Sequence, residues 1–145
     1  MGFEIIQAAK ALRTSIASVT FDGTANKGQV GTVPYFTVTG EVLVAAMVPF
    51  CTGSLTEAAA TATIALGVTG STALFIAATT ATEIDVNEFW VDTSPDANGI
   101  ALPAALNDIV ITDNIIATVA TQNVNGGTLR ITVLWYPISA DGNVA

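Results

Sequence analysis

The chain has 145 residues, of which 51% are hydrophobic and only 11% charged, and 12 acidic against four basic side chains give a formal net charge of −8. That length suits one domain able to bury most of its apolar surface, and the composition excludes intrinsic disorder, which needs low hydrophobicity and high charge. An acidic body repels phosphate and argues against nucleic acid, the lack of histidine removes Ser-His-Asp and Cys-His catalysis with the commonest zinc ligand, and a lone Cys51 allows no internal disulfide.

Residues 3–14 carry Ile5, Ile6, Ala9 and Leu12 at helical steps, with Glu4 early and Lys10 and Arg13 late, as a helix dipole favours. So short a helix is marginal alone, and the segment reads equally as an arm that orders on a partner. No basic region precedes an apolar core here, so no secretory leader is expected. Ser18–Asp22 reads as a short strand and Gly23–Gly31 as a loop. Lys10, Arg13 and Lys27 leave residues 1–27 mildly basic, whereas every later charge except Arg130 is acidic. The expected division is an N-terminal arm or helix with a first strand over 1–27, and a β-sandwich body over 28–145, within one domain.

The longest pattern is Tyr35–Phe50, YFTVTGEVLVAAMVPF. Strict alternation puts Phe36, Val38, Val42, Val44, Ala46, Val48 and Phe50 on one face, which predicts a half-buried strand. The other face starts polar and turns apolar at Leu43, Ala45 and Met47, so that end is expected to be covered on both sides, by a second layer or by another subunit. After a turn over Cys51–Ala59, strands are expected at Ala62–Val68 and Ala73–Ala77 around a Thr69–Thr72 hairpin, and at Glu88–Thr93. The interval from Glu57 to Glu83 has no charge, but Thr61, Thr63, Gly67 and Gly70 break any apolar run of about 20 residues, so no membrane span is expected. Asp108–Thr112, Ile115–Thr121 and Thr128–Tyr136 complete the set, the last launched by Asn125-Gly126-Gly127, a strong turn signal. The tail from Pro137 reads as irregular. About eight short strands without β–α–β alternation imply an all-β sandwich or jelly roll.

Chemistry-bearing residues are few. Glu83, Asp85, Glu88 and Asp92 cluster in sequence, with Trp90 between the last two, and a solvated turn explains them better than a paired-carboxylate hydrolase. Asp85–Glu88 and Asp96–Gly99 lack the spacing of an EF-hand loop. No catalytic residue, metal or cofactor is expected. Trp90 has three readings: a sugar-stacking platform, an interface anchor, or a core residue in a strand covered on both faces. A chain this apolar with so few charges stays in solution by covering part of its surface with copies of itself or a partner.

The runs FTVTGEVLV (Phe36–Val44), ATIALGVTGSTALFIAATTATEID (Ala62–Asp85), NEFWVDTSPD (Asn87–Asp96) and TLRITVLWYPISADGNV (Thr128–Val144) resemble small structural proteins of tailed bacteriophages. The resemblance covers roughly residues 30–144. It implies a non-enzymatic virion component, a capsid decoration or cement protein made in the host cytoplasm and carried on the outer capsid surface. Such proteins are β-rich, sit as homotrimers on the major capsid protein and bridge capsomers. Phe3, Ile5, Ile6, Lys10, Leu12 and Arg13 are then the expected capsid contacts. Leu43, Ala45, Met47 and Trp90 are the expected self-association residues. The alternative is a carbohydrate- or receptor-binding module of a tail fibre or surface appendage, reading sugar through Trp90 and its neighbouring acids.

Overall fold

The computed structural model describes residues 11–145. The strands are β1 (Arg13–Thr20), β2 (Gly31–Phe36), β3 (Val38–Thr39), β4 (Val42–Thr56), β5 (Thr63–Val68), β6 (Ser71–Thr80), β7 (Glu88–Phe89), β8 (Asp96–Ala97), β9 (Asn107–Ile111), β10 (Ile115–Ala120), β11 (Gly126–Pro137) and β12 (Asn143–Val144). Eight of them have five residues or more, and β3, β7, β8 and β12 have two each. Single helical turns at Ala81–Glu83 and Ala104–Leu106 complete the regular structure.

Three antiparallel sheets result. The large one runs β1-β11-β4-β7-β8 with β9 also paired to β4, a second runs β2-β10-β5-β6, and β12 pairs β3. The large sheet contributes Val42, Val44, Met47, Cys51, Leu129, Ile131 and Val133 to the core, and the second contributes Val33, Ile64, Leu66, Ala117 and Val119. These branched side chains fit a pleated surface and exclude water between the layers, giving a sandwich. The Tyr35 hydroxyl on β2 donates to the Leu129 carbonyl on β11 at 3.1 Å, tying one sheet to the other.

The Tyr35–Phe50 pattern is divided among three strands. Thr37 leaves the ladder to exchange backbone hydrogen bonds with Ala145, at 2.7 and 2.9 Å, and this anchors the tail that the sequence had left irregular. Gly40 turns the chain with a positive φ of 62°. Within β4 the partner register on β11 steps from Val44 opposite Trp135 to Ala46 opposite Leu134, leaving Ala45 as an extra residue. A bulge of this kind moves every following side chain to the opposite face. Val42 and Val44 point inward as the alternation predicts, but beyond Ala45 the inward set is Met47, Pro49 and Cys51, while Ala46, Val48 and Phe50 face out half-buried.

Other boundaries shift too. β4 continues to Thr56 through the expected turn at Cys51–Ala59, and β6 extends to Thr80. Gly67 on β5 lies so close to the return strand that an added Cβ would stand 2.2 Å from the Ser71 carbonyl oxygen, an approach only glycine permits. Of the segment 3–14 expected as a helix, residues 3–10 lie outside the described residues. Residues 11–14 are not helical, because Arg13 opens β1 and pairs with Trp135. β1 has its own edge to satisfy and gains more from the β11 ladder than from one marginal turn of helix.

Candidate interaction surfaces

The outward face of the large sheet is where apolar side chains and few charges coincide. Cross-strand partners share a face, so the pairing register lays out its rows. Ile16, Thr132 and Val48 form one row, and Thr14, Leu134 and Ala46 the next. Tyr136, Leu43 and Val110 form a third. Ile16 is 62% exposed and Val110 61%, large aliphatic surfaces left in water. A further row crosses five strands, from Ser18 through Arg130, Phe50 and Phe89 to Asp96. In it the Phe50 and Phe89 rings lie 4.9 Å apart, tilted by 59°, and the Arg130 guanidinium sits over the Phe50 ring at 5.2 Å. The Arg130 Nε is shielded from solvent yet has no hydrogen-bond partner among the described residues. A cation on an aromatic face gains about 0.5–2 kcal/mol, but a buried N–H without an acceptor is costly.

Two of the four expected self-association residues are not on any surface. Met47 is fully buried, carried inward by the bulge at Ala45. Trp90 is fully buried as well, its indole N–H donating to the Thr79 hydroxyl at 2.9 Å, while Thr79 donates onward to the Ala77 carbonyl at 3.0 Å. It is therefore a core residue with a satisfied polar tip, and neither a sugar platform nor an interface anchor. Leu43 and Ala45 remain half-exposed. The alternation that placed Met47 outside was sound up to the bulge, which has no signature in an Ala-Ala pair.

Of the expected capsid contacts, Phe3, Ile5, Ile6 and Lys10 lie outside the described residues. Leu12 is 49% exposed just ahead of β1. Arg13 opens β1 with its guanidinium 5.4 Å from the Trp135 ring centre, and the Trp135 indole N–H reaches the Ser15 hydroxyl at 3.0 Å. That end of the sheet is thus a cationic, half-apolar corner.

Two of the four clustered acids are spent on turns. Glu88 accepts the Asp85 N–H at 2.9 Å, and Asp92 accepts the Ser94 N–H at 2.7 Å. Asn87 takes a positive φ of 69° between them. Among the described residues no group of three or more His, Cys, Asp or Glu stands close enough to hold a metal. No described helix is long and apolar enough to cross a membrane. A shallow cleft of about 240 Å³ on the second sheet, between Thr32, Pro34, Tyr35, Thr69, Asn114 and Ile116, has no acidic or basic side chain in its lining.

Four groups among the described residues have displaced acidities. Burial pushes the Tyr35 hydroxyl above its usual range, with the neighbouring Cys51 adding to it. Burial likewise pushes the Cys51 thiol up, against its backbone hydrogen bond with Gly53 and aided by the charges of Asp85 and Glu88. The Thr24 hydroxyl and N–H hold the exposed Asp22 carboxyl below the usual value. At Glu57 desolvation works upward, but the N–H groups of Ala59, Ala62 and Thr61 together outweigh it and leave that carboxyl low.

No protein-family model matches the chain, and no curated protein matches it. Among solved structures the chain is similar to one described as "Cyanophage Pam1 capsid asymmetric unit", with 19% identity over 88% of this chain and 86% of that one, and a TM-score of 0.47.

Proposed function

We propose that this chain is a non-enzymatic structural protein of a tailed-phage virion, a decoration or cement protein that associates with copies of itself and braces the outside of the head by bridging capsomers. The carrying observation is the outward face of the large sheet, where Ile16, Val48, Leu134, Leu43 and Val110 make a broad apolar field on a rigid two-layer body. Soluble proteins keep such fields for partners. The sequence resemblance of residues 30–144 to small phage structural proteins supplies the kind of partner, other copies of itself and the major capsid protein.

The body provides rigidity, the sheet face provides association, and the N-terminal segment with Leu12 and Arg13 grips the shell. An oligomer touching several capsomers at once gains through effective concentration, so modest single contacts suffice. The carbohydrate-binding alternative rested on Trp90, and that ring lies in the core.

Co-sedimentation of purified protein with expanded, undecorated heads of the encoding phage tests the reading. Saturable binding at micromolar protein is expected. A variant lacking residues 1–10, which leaves β1 whole, is expected to bind at least tenfold more weakly with an unchanged circular dichroism spectrum. Full-length protein that stays in the supernatant would end the proposal.

A further inference from the structure

The row Arg130, Phe50, Phe89, Asp96 runs across four neighbouring strands of one open sheet face, with a cation at one end, an anion at the other and two aromatic rings between. At about 4.8 Å per strand the backbones of Arg130 and Asp96 stand roughly 14 Å apart, three strand spacings. Turned by half a revolution about an axis between the two rings, the row maps onto itself with the charges exchanged. Such self-complementarity is what an isologous contact requires, since residue i must meet j while j meets i.

We propose that two copies of this chain pair face to face through this row, each Arg130 meeting the other's Asp96 and the four phenylalanine rings packing at the axis. The inference deepens the self-association half of the proposed function and rests on it, with two-fold pairing in place of the three-fold assembly that the resemblance implies. The occupant follows from charge. A basic partner would be repelled at Arg130 and an acidic one at Asp96, whereas a second copy brings the right sign to both ends. Pairing also brings a carboxylate to the solvent-facing part of the half-buried Arg130 side chain. Charge-assisted contacts to arginine are the stronger class of hydrogen bond. For a body of net charge −8, association is opposed over most of the surface and favoured where a cation and an apolar centre coincide.

Sedimentation equilibrium of the full chain and its variants provides the test, with near-ultraviolet circular dichroism of the buried tryptophans confirming the fold. Wild-type protein is expected to be dimeric at micromolar concentration. Arg130→Glu and Asp96→Arg are each expected to weaken the dimer at least tenfold, and the double exchange R130E/D96R to restore it. Arg130→Gln and Asp96→Asn, gentler in their effect on folding, are expected to weaken it in the same direction. A monomeric wild type, a single reversal without effect, a trimer indifferent to both, or a folded double exchange that stays monomeric would each overturn the pairing. Head binding separates the two proposals: a monomer that still coats heads removes the two-fold contact alone, and a dimer that ignores heads removes decoration alone.

Discussion

Thr79 and Trp90 show how a polar atom is made safe inside this molecule. The indole N–H needs an acceptor, and the hydroxyl that supplies it is itself only 2% exposed and donates to a carbonyl, so the chain of donors closes. Thr79→Val keeps the shape but orphans the indole, and is expected to cost about 1–3 kcal/mol in urea unfolding. Thr79→Ser keeps the oxygen and should cost distinctly less in the same assay. Tyr35 and Cys51 make the opposite arrangement, acids held neutral by burial. Their ordinary values are 10.0 and 9.0, and in the folded protein both are raised. The folded state therefore keeps protons that the unfolded chain gives up. That stability is complete below about pH 9 and declines as pH climbs through the folded values. Thermal melts from pH 7 to 10.5 should show the decline, and Tyr35→Phe with Cys51→Ala should flatten it.

At the scale of elements, the bulge in β4 decides which residues are core. Plain alternation puts Val48 on the core face and Met47 on the opposite one, and the extra residue at Ala45 exchanges them. Met47→Ala is expected to cost about 2–5 kcal/mol, as for a buried large-to-small change, and Val48→Ala less than about 1 kcal/mol in a monomeric background. Equal costs in chemical denaturation would contradict the register. The same comparison marks what a sequence can carry. Strands with uninterrupted alternation, Leu129 to Trp135 above all, read correctly in position and facing, because period two is a local property. The turn expected at Asn125-Gly126-Gly127 is displaced: Gly126 and Gly127 open β11, where Gly127 takes a positive φ of 99° at a shift in the ladder, and the connection itself runs over 121–125. The bulge at Ala45 was not legible, since alanine suits a bulge and a regular strand alike. Trp90 was ambiguous because its acidic neighbours suggested water, although those acids bind turn amides (Asp85 and Ser94) and leave the ring free to point inward. The β3–β12 pair, joining Val38 to Val144, was invisible because two residues carry no period.

For the molecule as a whole, composition spoke before structure did. Few charges and many small apolar residues called for covered surface, and the structure leaves exposed and half-buried aliphatic side chains together on one broad sheet face. Where the apolar field lies was not legible, because it depends on β11 standing between β1 and β4, strands far away in the chain. That arrangement bears on how the protein comes into being. Ser15 and Trp135 touch although they are 120 residues apart in sequence, and β11 is the mutual neighbour of both β1 and β4. A polypeptide emerging from the ribosome at about 5–20 residues per second thus carries its first strands without a mate until almost everything has been synthesised. Closing such long loops is slow. The β5–β6 hairpin can pair early, whereas β1 and most of β4 find their ladder only when residues 126–137 arrive, so the large sheet closes late.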